Sequence, residues 1–174
     1  MGGISSNSGD WVAVHELTEE YIEKAASIYA KGLLIEEPPG SAEPLDGLTE
    51  LMKENLQRYL ERKEKRNIWI ATIAEDIRGL LDFYLEESNI RIRFICAIPP
   101  RQGVGTQLMR HLARFAQTKG VSTIRSTVSS LDQRAISFYF DHLGFRKVGQ
   151  RLEKPGFYLF VAAIDPEDLL STTS

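Results

Sequence analysis

The stretch Ile98-Pro99-Pro100-Arg101-Gln102-Gly103-Val104-Gly105-Thr106 decides how this chain is read. An apolar run, Ile90 to Ile98, leads into it as a strand, and a helical pattern leaves it. The prolines force an extended exit from the strand, because a residue before proline avoids the α region. Gly103 and Gly105 permit dihedrals and close backbone approaches that a Cβ would forbid. Leu108, Met109, Leu112, Ala113, Phe115 and Ala116 then form one broad apolar helix face, closed by Gly120 as a C′ residue. The first N–H groups of such a helix lack internal acceptors, and with the helix dipole they favour an anion. The turn is therefore a candidate cradle for diphosphate oxygens, with charge from Arg101 and a hydroxyl from Thr106. It is not a P-loop, because Gln107 and Leu108 stand where that motif has lysine and serine or threonine. It is not a dinucleotide fingerprint either, since Leu108 occupies the third glycine position and the preceding strands form a meander.

Upstream, Ile68–Ala74, Arg78–Glu86 and Ile90–Ile98 read as that antiparallel meander, reversed at Glu75-Asp76 and Glu87-Ser88-Asn89. Its inner face takes Ile90, Ile92 and Phe94, or their neighbours if a bulge shifts the register. Arg91 and Arg93 alternate with these and face a rim, a helix or a ligand. Before the meander come a strand at Trp11–Val14, a helix N-capped by Thr18 with Ile22, Ala25, Ala26 and Tyr29 on its stripe, and a helix over Leu45–Lys65. A loop beginning Glu36-Glu37-Pro38-Pro39 separates the two helices. Downstream follow a strand at Val121–Val128, a helix at Leu131–Leu143 ended by Gly144, and strands at Phe145–Glu153 and Phe157–Ile164. The order β-α-α-β-β-β-α-β-α-β-β predicts a mixed α/β domain.

One domain over residues 11–165 suits the length, with a disordered arm at 1–10 and a frayed tail at 166–174. A formal net charge of -3 argues against a dedicated nucleic-acid binder. No apolar run reaches membrane-span length, so no membrane partner is expected. The single cysteine, Cys96, cannot form an internal disulfide, which suits a reducing, cytoplasmic setting. His15, His111 and His142 lack metal-site spacing, so no metal is expected.

Two motifs, some 30 residues apart, resemble those of the GCN5-related N-acetyltransferases, the GNAT family. The glycine turn is similar to the family's R/Q-x-x-G-x-G/A acyl-CoA pyrophosphate loop. Asp132-Gln133-Arg134-Ala135-Ile136-Ser137-Phe138-Tyr139-Phe140-Asp141-His142-Leu143-Gly144-Phe145 is similar to its N-x-x-A-x-x-F-Y-x-x-x-G-F helix. Pro100 and Asp132 depart from the pattern, at its first Arg/Gln and its Asn. The resemblance covers Val12 to about Ile164. It implies a central, mostly antiparallel twisted sheet of about six or seven strands flanked by four helices. Acetyl-CoA is the implied cofactor, held by Arg101, Gln102, Gly103, Val104, Gly105 and Thr106, by backbone near Cys96, Ala97 and Ile98, and by Asp132, Phe138 and Tyr139.

Transfer of an acetyl group to an amine needs a neutral nucleophile, a stabilised oxyanion and a proton for the departing thiolate. Tyr139 matches the family's frequent general acid, and a tyrosine with an ordinary pKa of about 10 can protonate a thiolate. The Ile90–Ile98 strand carries no carboxylate, so candidate bases are Glu86, Glu87 and Asp82 around the meander, or Glu36 and Glu37 in the loop. A water relay would remove the need for any of them. The expected function is acetyl transfer from acetyl-CoA to a primary amine, on a small molecule or a peptide, with a homodimer as one way of completing the acceptor pocket. The alternatives are an acyl-CoA-binding regulatory module without turnover, and an interaction domain without cofactor.

Overall fold

The computed structural model describes residues 11–36 and 45–174. The readings of residues 1–10 and of Glu37 lie outside these, as does the Glu36 side chain. In chain order the elements are β1 (Ala13–Glu16), α1 (Ile22–Glu36), α2 (Leu45–Glu61), β2 (Arg66–Ile73), β3 (Asp76–Leu85), β4 (Asn89–Ala97) and α3 (Val104–Thr118). They continue as β5 (Thr123–Ser129), α4 (Gln133–Ile136) running on into a π turn (Ser137–His142), β6 (Arg146–Lys154), β7 (Phe157–Ile164) and α5 (Pro166–Thr173). All seven strands form one sheet in the order β1-β2-β3-β4-β5-β7-β6, antiparallel except between β4 and β5. This is the mixed, mostly antiparallel architecture expected from the sequence.

The sheet separates two cores, and strand alternation decides which residue enters which. Trp69, Leu81 and Phe83 pack with Leu108, Met109 and Leu112 of α3. Their neighbours Ile68, Ile70 and Leu80 join Ala25, Ala26 and Tyr29 of α1 and Leu56 and Tyr59 of α2.

β4 changes faces partway along. Asp82 pairs with Phe94 but Phe83 pairs with Ile92, which leaves Arg93 as the extra residue of a β-bulge. Ile90 and Ile92 therefore belong to the α3 core, whereas Phe94 belongs to the α1 core. There Phe94 stacks on Tyr29 with ring centroids 4.4 Å apart and planes 6° from parallel. The shared inner face for Ile90, Ile92 and Phe94 fails at Phe94, because the bulge resets the alternation.

α1 crosses β4 at this place, and Gly32 sets the spacing. A Cβ on Gly32 would lie 2.7 Å from Phe94 Cζ and 2.8 Å from Cys96 Cβ. Neither atom can withdraw easily, since one belongs to a stacked ring and the other is fixed to the strand backbone.

Three local expectations are corrected. Thr18 makes no side-chain cap bond; its hydroxyl donates to Glu20 Oε1 at 3.3 Å. α2 ends at Glu61, short of Lys65. The segment 166–174, expected to be a tail, is helical from Pro166 to Thr173, so a fifth helix joins the four. Pro166 sits at its start, where a missing N–H costs nothing, Glu167 and Asp168 occupy the first turn, and Leu169 is fully buried in the α3 core. A single apolar pair, Leu169-Leu170, is too short for a periodicity signal, though the Asp-Pro-Glu-Asp start was available.

His111 of α3 stands edge-on to Trp69, with centroids 5.3 Å apart. Burial, then the Arg114 charge, holds its pKa below the ordinary 6.5. The unfolded chain thus binds this proton more readily, so the group's contribution to stability is present above the ordinary value and is lost as pH falls through the folded one. An NMR titration should place the His111 midpoint below 6.5, and a midpoint at or above it would contradict the burial.

Glycine-to-alanine exchange should have opposite signs in the first two helices. Gly47 of α2 has nothing within 4 Å of a built Cβ, so Gly47→Ala should raise stability by about 0.5 kcal/mol through helix propensity. Gly32→Ala should lower it by about 1–3 kcal/mol through overpacking, despite the same propensity gain. Urea denaturation of both variants checks this.

Candidate functional site

β4 and β5 pair in parallel only from Asn89 with Thr123 to Ile92 with Ser126. β4 then runs on to Ala97 and β5 to Ser129 without pairing to each other. The bulge residue Arg93 comes directly after the last pair, and a bulge bends its strand away. The result is a splay that opens toward the glycine turn. Ile98 donates its N–H to Arg78 O at 2.8 Å. By the alternation of an antiparallel ladder, the peptide groups of Cys96 then face β3, while those of Ile95 and Ala97 face the splay. Of the three backbone positions expected to meet a ligand, Ala97 is the one so directed. The Cys96 side chain faces α1, with Sγ 3.8 Å from Ile28 O.

The two glycines of the turn answer different constraints. Gly103 has a φ of 76° and open space around a built Cβ, so its need is conformational. Gly105 needs room: its Cβ would lie 3.2 Å from Phe138 Cζ. Phe138 thus fits against the first turn of α3, joining the two motifs that were separate in sequence. Arg101 has a φ of 65°, and its side chain and that of Gln102 are exposed.

The start of α3 has no side-chain cap and no acidic residue in its first turn. Gln107 N–H bonds Gly103 O at 3.0 Å, so the N–H groups of Val104, Gly105 and Thr106 are those left at the helix mouth. The Thr106 hydroxyl is 2.9 Å from His142 Nε2 and ties α3 to the π turn, a role the sequence did not suggest. Asp132 accepts from Ala135 N–H at 2.9 Å. Its carboxylate therefore caps α4 and does not act as a donor.

Tyr139 lies on the π turn and is buried in the α3 core with Val104 and Val128. Its ring meets Phe145 edge-on at 5.1 Å, and its carbonyl accepts from Phe145 N–H at 2.9 Å. Leu143 N–H bonds Phe138 O across five residues, the wider spacing that defines the π turn.

The candidate bases are placed elsewhere. Glu86 Oε1 accepts from Arg91 Nε at 3.0 Å, and Glu87 is exposed in the same turn. Both lie at the closed end of the β4/β5 pair, and about 13 Å of strand separates Asn89 from Arg93. Asp82 is fully buried and accepts from Arg66 Nε at 3.0 Å, Arg66 Nη2 at 2.7 Å and Tyr29 Oη at 2.9 Å. Arg66 also donates to Asn55 Oδ1 at 2.9 Å and lies over the Tyr59 ring. Burial, reinforced by the Asp82 charge and hydrogen bond, holds Tyr29 well above the usual tyrosine range, so it stays a neutral donor. With its oxygens so engaged, Asp82 anchors β2, β3, α1 and α2 around the bulge and is not a base open to substrate. Tyr29, Asn55 and Arg66 lie on separate elements, and no spacing in the sequence signals their meeting.

A model of the acetyltransferase (GNAT) domain family matches residues 36–161, and the chain belongs to that family. The PaiA N-acetyltransferase of Thermoplasma acidophilum, solved with coenzyme A, has a TM-score of 0.73 at 14% identity, over 89% of this chain and 99% of that one. The spermidine N-acetyltransferase of Vibrio cholerae, solved with CoA and spermine, has a TM-score of 0.67 at 16% identity, over 91% and 98%. The ribosomal-protein-S18-alanine N-acetyltransferase of Escherichia coli gives 0.66 at 16%, over 89% and 94%. These likenesses establish the fold. In sequence, no curated protein matches the chain.

Removing the Asp82 carboxylate should be among the costliest changes in the molecule. Asp82→Ala leaves the Arg66 guanidinium, 14% exposed, without its partner and should lower stability by about 3–5 kcal/mol. Chemical denaturation measures this, and a loss below 1 kcal/mol would mean that the network is not an anchor.

Proposed function

We propose that the protein is an N-acetyltransferase that moves the acetyl group of acetyl-CoA to a primary amine, on a small molecule or a peptide, by direct attack in a ternary complex. The observation that carries this reading is the uncapped start of α3 at the open end of the β4/β5 splay, in a chain of the GNAT family. The residues present fit the ligand. Helix-mouth N–H groups of Val104, Gly105 and Thr106 suit a diphosphate, and the exposed Arg101 and Gln102 supply charge and a further donor. Ala97 offers a peptide group to an amide-bearing arm, and Phe138 forms a wall.

Acetyl-CoA supplies an activated acyl group on a thiol leaving group. The chain's own part is to hold the reactants together, which is worth several kcal/mol in such transfers, and to manage protons. Tyr139 is the assigned acid for the departing thiolate. Glu86 and Glu87 are withdrawn from the base role by their position at the closed end of the splay. An amine that arrives neutral, or loses its proton to water, fits the arrangement.

Acetyl-CoA should raise the melting temperature, and thiol release across a panel of amines should follow. Gly105→Val should weaken acetyl-CoA binding at least tenfold by pushing Phe138 from the helix mouth. Tyr139→Phe should lower kcat by about a hundredfold with little change in acetyl-CoA affinity. Unchanged turnover would remove Tyr139 from its role, and stabilisation without thiol release would favour a binding module.

A further inference from the structure

Among the described residues, only half of the sheet face opposite α3 is covered. The core under α1 and α2 draws on β2, β3 and β4 and takes nothing from β5, β7 or β6. β5 shows the consequence, since Ile124, Ser126 and Val128 are buried while Arg125 and Thr127 are exposed.

Cross-strand partners share a face, so the register identifies what that open face carries. Arg91 pairs with Arg125, Arg125 with Ala163, and Ala163 with Arg146. One row of three arginines thus crosses β4, β5, β7 and β6, roughly 14 Å at the usual strand spacing. The next row is Thr127, Val161 and Gly149, and the one after is Ser129, Leu159 and Arg151. Arg93, the bulge residue, reaches Tyr84 Oη on the same face, 3.5 Å away. The arginines therefore rim a floor of Thr127, Val161 and Leu159, which adjoins the unpaired end of β5 in the splay.

Among the described residues, the acids matched to this rim are Glu86 on Arg91 and Glu153 on Arg151. Arg93, Arg125 and Arg146 have no carboxylate partner there. Unpaired exposed arginines add little to stability. Their concentration on one face of a chain with a net charge of -3 calls for a ligand.

Resting on the acetyltransferase reading above, we propose that the acceptor is an acidic peptide segment, laid across β5 and β7 with its amine at the splay. Arg93, Arg125 and Arg146 take its carboxylates, and the Val161 and Leu159 floor takes its apolar side chains. A peptide suits this face better than a nucleic acid, because the floor holds aliphatic and hydroxyl groups where single-stranded bases would need aromatic platforms.

The test uses labelled peptides of equal length with one free amine, flanked by Asp/Glu, by Gln/Asn or by Lys, in fluorescence anisotropy and in thiol release with acetyl-CoA. The acidic peptide should bind at least tenfold tighter than the neutral one and be the better substrate in kcat/KM. That advantage should shrink as NaCl rises from about 50 mM to 500 mM. Arg125→Glu and Arg146→Glu, both at exposed positions, should each erase it while acetyl-CoA still raises the melting temperature. Equal binding of the three peptides, preference for the Lys peptide, or persistence of the advantage in both variants would overturn the inference. So would displacement of the acidic peptide by a single-stranded oligonucleotide at lower concentration. Loss of acetyl-CoA stabilisation in the unmodified protein would instead sink the acetyltransferase reading, whereas turnover of amines without acidic preference sinks only the acceptor class.

Discussion

The extra residue at Arg93 is the constraint on which the rest of the molecule turns. With one residue inserted opposite the Asp82–Phe83 step, β4 cannot keep its register, its alternation and its pairing with β5 together. Alternation yields first, sending Phe94 across the sheet to stack on Tyr29. Pairing with β5 ends at the same point, at Ile92 and Ser126. A gap in the middle of a sheet exposes unpaired peptide groups, which is unfavourable unless water or a ligand meets them. The neighbouring elements show how the bend is held: Asp82 is pinned by Arg66 and Tyr29 on one side, and Gly32 lets α1 close over Phe94 and Cys96.

The glycine turn depends on that bend, because the splay opens where β4 hands over to the turn. Its geometry is held by contacts remote in sequence. Phe138 occupies the space a Gly105 side chain would take, and His142 bonds Thr106. Both come from the π turn, whose wider spacing shifts side-chain directions relative to an α-helix. The helix-mouth donors and the Tyr139 segment are thus joined by direct contacts on the α3 side of the sheet.

Much of this was legible in the sequence because it rests on local rules. Period-2 and period-3.6 patterns located every strand and the helices through Leu143, and the glycines marked the turn. What escaped depends on meetings between distant elements. The bulge was allowed for but could not be positioned, since the alternation of Ile90, Ile92 and Phe94 reads as unbroken in one dimension. Asp82 looked like one carboxylate among several, and its partners are 16 and 53 residues away. Glu86 and Glu87 were candidates as carboxylates around the meander, but a strand has two ends, and they precede β4 at the end away from the glycine turn. The C-terminal helix escaped because burial of Leu169 is decided by α3 and not by its own neighbours.

The charges of the sheet are divided by the same geometry. On the α3 side, positive potential comes from backbone N–H groups at a helix start, which cannot be mutated away and grip an anion at close range. On the open side it comes from Arg93, Arg125 and Arg146, whose long side chains reach into solvent and are screened by salt. The first arrangement suits a ligand held in one pose and the second a partner gathered from solution and allowed to slide. The splay between β4 and β5 is where the two sides of the sheet communicate. An anionic donor held on one side and an anionic acceptor on the other would repel each other in water. On the proposed reading, the intervening sheet, with an apolar core on its α3 face, would let each be neutralised by its own set of groups, so that the amine and the acyl carbon could approach without their charged ends doing so.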